Sequence, residues 1–270
     1  MLILFIYCIA GLLIGFLSGL LGIGGGLIAV PALSMLLVLQ GVNHSLIMHI
    51  AVATSLSTII FTSLASIRTF HQQGEVAWDL IKILLPGVIL GTLLGTFISQ
   101  HLSTNHLRFL FGLFVLIVAF RLFFQKKEDL KSHTPHPRSI DKADLRHHRI
   151  AAVATGLTAG LLGVGGSIII IPYLLHKGFT IRQASGTSIT CAFPIALIAT
   201  LVFSISGWHI VNLPPYSTGY VNWSATLGLA LPSLFSVSLG AWLGKRAPQT
   251  TLRKLFSLFL VFVSLDMLLG

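Results

Sequence analysis

Two glycine runs and two sets of hydroxyl residues are the parts of this sequence best suited to chemistry. Gly22-Ile23-Gly24-Gly25-Gly26 and Gly163-Val164-Gly165-Gly166-Ser167 each precede an apolar segment that can restart as a helix. A chain that leaves the helix at such a run exposes unpaired N–H groups, and the restarting helix turns its positive dipole end toward the break. That arrangement suits an anion. Close helix packing is the competing use of such glycines, although five-residue clusters exceed what a packing motif needs. Thr54, Thr58, Thr62 and Ser66 recur at i,i+4 spacing along one helical stripe, with Ser55 and Ser57 beside them. Ser185, Thr187, Ser188 and Thr190 form a second set. Hydroxyls donate to an oxyanion without adding a charge that would trap it; their competing use is a bond to an i−4 carbonyl or a neighbouring helix. The candidate binding residues are therefore Gly22, Gly24, Gly25, Thr54 and Ser55, with Gly163, Gly165, Gly166, Ser167, Thr187 and Ser188.

Other reactive groups are sparse. Asp266 is the one acid inside a span and lies near its end, while Glu75 and Asp79 flank a turn, so no mid-membrane carboxylate is available as a proton or sodium ligand. His49 lies near the end of its run. Arg68 with His71 sits at the mouth of the same run, where an arginine either draws anions in or snorkels to the interface. Gln183-Ala184-Ser185-Gly186 faintly resembles an intramembrane serine protease motif, but His209 falls at the far end of the same helix and leaves no dyad, so the chain reads as a non-enzyme. Cys8 and Cys191 lie in apolar runs and read as small core residues. His133, His136, His147 and His148 sit among prolines and charges, which favours a mobile loop over a metal site. No metal or other cofactor is expected.

The elements that must hold these residues follow from composition. Of 270 residues 54% are hydrophobic and 9% charged, against about a quarter charged in a soluble domain, and mean hydropathy is +0.92. Apolar runs cover 2–21, 27–39, 46–67, 78–99, 106–124, 150–162, 168–176, 184–206, 223–243 and 252–269. They are continuous, whereas an outer-membrane barrel alternates apolar and polar residues in strands of about ten. The chain is thus an all-α polytopic membrane protein. A span needs about 20 residues, so 27–39, 150–162 and 168–176 are too short to cross alone.

The glycine runs open an internal repeat. Ile14–Leu33 matches Thr155–Leu174 at 10 of 20 positions. Ala53-Thr54-Ser55-Leu56 then matches Gly186-Thr187-Ser188-Ile189, and Gly95, Leu107, Arg108 and Phe111 match Gly240, Leu252, Arg253 and Phe256, at offsets of 133 to 145. The expected organisation is a first repeat over 1–124, a charged linker over 125–149 and a second repeat over 150–270. Charge placement sets the topology. If each glycine run only interrupts a straight helix, the 17 basic residues divide 10 to 7; if each turns the chain back as a hairpin, they divide 16 to 1, with Arg108 alone on its side. The second division implies inverted repeats, each a glycine-broken hairpin plus three transmembrane helices, with the linker cytoplasmic. It also explains the net charge of +10 without a nucleic-acid partner.

The doubled Gly-Leu-Leu-Gly-[Ile/Val]-Gly-Gly motif followed by proline, the Ala-Thr-Ser-Leu and Gly-Thr-Ser-Ile signatures and the charged central loop resemble the TauE/SafE sulfite exporter family, over about 10–124 and 150–269. The resemblance implies a permease of the bacterial inner membrane moving sulfite, sulfonates, thiosulfate or related small anions. It carries a site role to Gly22, Gly24, Gly25, Gly163, Gly165 and Gly166 and to the Thr54-Ser55 and Thr187-Ser188 pairs. Ser167 departs from the motif where its counterpart Gly26 keeps glycine, and Cys191 with Pro194 has no counterpart in the first half. The expectation is alternating access, the two halves rocking about a shared site, with an anion channel as the alternative. A small anion and the bilayer are the expected partners, and a homodimer is an open possibility.

Overall fold

A computed structural model describes residues 2–21, 25–124, 145–246 and 249–269. Gly22, Gly24 and linker residues 125–144 lie outside the described residues. The chain forms α1 (Leu2–Leu21), α2 (Gly26–Leu39), α3 (His44–Gln72), α4 (Trp78–His101), α5 (Thr104–Phe124), α6 (Leu145–Leu162), α7 (Ser167–His176), α8 (Ile181–Ser206), a two-stranded hairpin β1 (Ser217–Thr218) and β2 (Val221–Asn222), α9 (Trp223–Arg246) and α10 (Gln249–Leu269). Among the described residues α1, α3, α4, α5, α8 and α9 are long and apolar enough to cross a bilayer, while α2 and α7 are shorter apolar helices. The protein is an all-α, multi-pass membrane protein.

Several helices outrun their apolar stretches. α3 adds a first turn capped by Asn43, whose side chain accepts from Ser45 N at 3.1 Å, and runs on to Gln72. α6 begins at Leu145, inside the stretch assigned to the linker. Hydropathy marks the part of a helix that meets lipid, not the polar turns that stay hydrogen-bonded beyond it. His148, read as part of a mobile loop, is instead a buried residue of α6 that meets the Tyr173 hydroxyl at 2.8 Å.

Two helix pairs are packed through small residues. Along α4, Gly87 lies against Arg149 O and Ala152, Gly91 against Val153 O and Gly95 against Leu157; from α6, Gly156 faces Val88 and Thr92 and Gly160 faces Thr92 and Thr96. Contacts that advance together mean the two helices run parallel. On the other side of the molecule Gly11 meets Gly228 and Leu229, Gly15 meets Ser233, and Gly240 of α9 meets Phe16 and Leu20, so α1 and α9 are parallel too. Such stripes bring backbones close enough for van der Waals contact, the main attraction between helices in lipid. The pairing is crosswise: α1 of the first half seats on α9 of the second, and α6 of the second on α4 of the first.

α3 and α8 pack together near the centre and run antiparallel. Thr187, in the second turn of α8, accepts from Ala77 N just before α4 at 3.2 Å, whereas Thr54 of α3 accepts from Asn222 N just before α9 at 3.1 Å. Each hydroxyl thus ties the chain that enters the other half's fourth helix, and each tie holds an otherwise unpaired donor. Thr54→Val and Thr187→Val are each expected to cost about 1 kcal/mol, additively because they sit at opposite ends of the helix pair, as a lowered unfolding temperature in detergent.

The short helices fold back. Gln40, capping α2, donates to the Tyr7 hydroxyl near the start of α1 at 2.8 Å, and Tyr173 of α7 reaches His148 at the start of α6. α5 meets α10, where Ser264 donates to Gly112 O at 2.8 Å and Arg108 reaches Asp266, with 3.8 Å between the charged groups. Arg108 and Asp266, each alone at its end in the sequence, are therefore neighbours. The outer faces of the bundle expose Phe97, Ile117, Phe235 and Phe262, as a surface that meets lipid tails must.

Candidate functional site

The two glycine breaks meet inside the bundle. A side chain at Gly26 would strike Gly163 O at 2.7 Å and Val164 Cα at 2.9 Å. Ser55, eleven residues or about 16 Å along α3, donates to Gly163 O at 3.0 Å and so satisfies a carbonyl freed by the break. Gly163, Gly165 and Gly166 all take the left-handed conformation, with φ of +75°, +69° and +77°. This is the region that L side chains rarely enter, and it turns the chain from α6 into α7 within four residues.

Beside the breaks lies a cavity of about 310 Å³. It runs along α3 from Ser55 past Thr58, Ile59, Thr62 and Ser66 to Phe70, and is walled by α1, α7, α8 and α9. The starts of both α2 and α7 line it, through Gly25, Gly26, Gly165 and Ser167, and neither start has a side-chain cap. The N–H groups of the first turns are thus left for a ligand or water. Most of the lining is apolar, including Ile14, Ile171, Ile189 and Val237, and none of it is charged.

The hydroxyls divide by availability. Thr58 donates to Thr54 O at 2.8 Å and Ser66 to Thr62 O at 2.8 Å, so each must leave a carbonyl before serving an anion. Ser18, Ser167 and Ser185 line the cavity and have no hydrogen-bond partner among the described residues.

Of the residues singled out from sequence, Gly25, Ser55, Gly165 and Ser167 line the cavity. Gly163 and Gly166 lie just behind the lining and shape the turn; Thr54 and Thr187 are engaged by Asn222 and Ala77. Ser188 is buried without a hydrogen-bond partner among the described residues. Its repeat counterpart Ser55 bonds the carbonyl of Gly163, whose own counterpart is Gly22, outside the described residues. Sequence reasoning did not reach Ser233, Leu234 and Val237 on α9. The signal for them was the Gly11-Gly15-Gly19 stripe on α1, which identifies a close-packed face without naming its partner.

No solved structure matches the chain. A "Probable membrane transporter protein" of Haemophilus influenzae is 35% identical over 97% of this chain and 96% of its own length. A second of that name, from Methanocaldococcus jannaschii, is 28% identical over 100% of this chain and 97% of its own. YunE of Bacillus subtilis, also named a probable membrane transporter protein, is 24% identical over 97% and 96%. The family described as "Sulfite exporter TauE/SafE" matches residues 7–267. With a multi-pass helical fold, glycine-broken helices meeting at an internal cavity and a family match over nearly the whole chain, this protein is a membrane transporter of the TauE/SafE family.

Proposed function

We propose that the protein is a secondary transporter for a small oxyanion, sulfite or an organosulfonate, working by alternating access. The observation that carries this reading is the convergence of two uncapped helix starts and three unpartnered hydroxyls on one uncharged cavity. Backbone and hydroxyl donors bind an oxyanion weakly enough to release it, and the apolar lining between Ile59 and Val237 accepts the carbon part of a sulfonate. The opposed directions of α3 and α8, the fold-back contacts of α2 and α7, and the crosswise pairs support inverted repeats. The bodies that move are then the lobes α1–α9 and α4–α6, because rocking the sequence halves would tear both glycine interfaces apart. With these helix directions, every basic residue among the described residues except Arg108 falls toward the end where α3 stops and α4 starts. The positive-inside rule makes that end, with linker 125–149, the cytoplasmic face of an inner membrane, so the cavity extends toward the cytoplasm.

The test is counterflow in proteoliposomes with sulfite, thiosulfate, taurine and sulfate in turn. Saturable exchange of sulfite or a sulfonate is expected. Conductance near the diffusion limit would instead establish the channel alternative, and absence of any flux would remove both. Replacing Ser18, Ser167 and Ser185 together by alanine is expected to raise the half-saturating concentration about a thousandfold, since each net hydrogen bond to a charged group is worth about 1.5 kcal/mol or more and about 1.4 kcal/mol is a factor of ten.

A further inference from the structure

The cavity lies toward one end of α3, and the α8–α9 connection covers α3 at the other. The α3–α4 connection takes five residues, 73–77, whereas the equivalent α8–α9 connection takes sixteen, 207–222, and contains the β1–β2 hairpin. This extra segment lies on the first turns of α3. Asn222 N donates to Thr54 Oγ1 at 3.1 Å, Thr226 and Ser57 share a hydroxyl contact at 2.6 Å, and the Tyr220 ring stacks on His49 with centroids 5.2 Å apart and planes 26° from parallel. Phe203 meets the Tyr220 ring edge to face, with centroids 6.2 Å apart. His49, Ala53 and Ser57 stand on one stripe of α3, all three buried beneath this cover.

His49 is an unusual residue to build a seal on. It is 5% exposed, and among the described residues its Nδ1 atom makes no hydrogen bond of good geometry. Tyr220 is the titratable group set against it, and burial pushes that phenol above its ordinary value, so the ring stays neutral. His44, His101 and His106 on the neighbouring ends of α3, α4 and α5 are exposed, His101 turned to Phe97 O and His106 to Ser103. His209 and Tyr216 in the α8–α9 connection are exposed as well. Backbone groups of Ser99, Leu102 and Ser45 lie within hydrogen-bonding reach of the ring. Among the described residues no acid pairs with His49. The repeat counterpart of His49, at the offset of 133 that relates Thr54 to Thr187, is Arg182, an exposed residue with no hairpin over it. The buried imidazole and the inserted cover thus occur together, at one end only.

We propose that His49 is a proton-binding site whose protonation lifts the β1–β2 hairpin off α3 and opens the end of the pathway opposite the cavity. A proton on a buried ring without an acidic partner is poorly solvated, whereas in an open gate water solvates it. The proton therefore binds the open state more tightly, and by linkage acid shifts the gate toward open, by no more than the difference in affinity between the two states. A hydrated imidazole takes up its proton near pH 6.5. Lowering the pH from about 7.5 to about 5.5 is then expected to raise the open population about tenfold, from the ratio of the two binding polynomials.

The inference rests on reading the bundle as a transport pathway, but its test needs no substrate, so its failure is distinct from failure of the anion reading. In a Cys8→Ala, Cys191→Ala background, Ala53→Cys is labelled in detergent with a charged methanethiosulfonate reagent. The rate is normalised to Val211→Cys, an exposed position, to remove the reagent's own pH dependence. The normalised rate is expected to rise about tenfold over that pH range, and to become flat when His49→Gln is added. A flat profile with His49 present overturns the proposal without recourse to any His49 variant. A rise that persists in His49→Gln or His49→Phe, whichever folds, overturns it equally. Tyr220→Leu, which keeps the imidazole and removes its cover, is expected to give fast labelling already at pH 7.5, and slow labelling there counts against the hairpin as the moving part.

Discussion

Gly91→Leu is expected to abolish the folded, monodisperse protein in detergent. A Cβ on Gly91 would run into Val153 O and lie 2.8 Å from Leu157 N, both backbone atoms of a parallel helix that cannot swing aside. The α4–α6 backbones would have to separate along several turns, because Gly87, Gly95, Gly156 and Gly160 use the same close approach. Overpacking a single core site costs about 1–3 kcal/mol, and a leucine wedged into this stripe also forfeits the contacts of its neighbours. Gly91→Ala should give an intermediate loss, read as a lowered unfolding temperature. Leu90→Ala on the same helix, at a position 59% exposed on the lipid side, should be near neutral. An unchanged unfolding temperature in Gly91→Leu would mean that α4 and α6 do not touch there.

Gly166→Val is expected to cut transport by more than tenfold with a smaller loss of stability. The residue sits at φ +77° immediately before α7, where a β-branched side chain is strained. A Cβ there would also meet Thr155 Cγ2 at 2.5 Å and Ile195 Cδ1 at 3.2 Å. Relief moves the start of α7, and with it the free N–H groups and the Ser167 hydroxyl that line the cavity. Gly178→Ala separates the two effects. It carries similar backbone strain at φ +88°, worth about 1 kcal/mol, but a Cβ there meets nothing within 4 Å. Gly178→Ala should therefore lower stability slightly and leave transport intact, and Gly166→Asn, which tolerates this conformation, should recover part of the activity lost in Gly166→Val. Wild-type exchange in Gly166→Val would remove the α7 start from the site.

What could be read from the sequence was local or periodic. The ten apolar runs correspond to the ten helices among the described residues because hydrophobic continuity and helix length are properties of a segment by itself. The two glycine runs could be identified as a pair because the repeat makes them equivalent, and Gly26 does abut Gly163. Partner choice across the fold was a different matter. Thr54 and Ser55 are adjacent in the same motif, yet Ser55 borders the cavity while Thr54 accepts from Asn222, 168 residues away. One residue is about 100° of helix rotation, and which of two adjacent hydroxyls faces the cavity depends on helix packing that no local pattern encodes. The same holds for the stripe on α1: its spacing announces a close neighbour, but α9 became that neighbour through chain topology. The change of repeat offset from 133 to 145 was visible, and the structure shows that the α8–α9 connection supplies it.

The crosswise pairing also has a consequence for how the chain is made. α1 ends at Leu21 and its groove on α9 begins at Trp223, about 200 residues later. At synthesis rates of about 5–20 residues per second, the first helix waits in the bilayer for roughly 10–40 s with its glycine stripe facing lipid or a chaperone. α4 waits for only about 45 residues before α6 begins. The α4–α6 lobe is thus the first piece that can assemble during translation, and the last-made helices must recruit the first-made one. A ribosome stalled before α9 emerges would carry an orphaned α1, which is where membrane quality control would find this protein vulnerable.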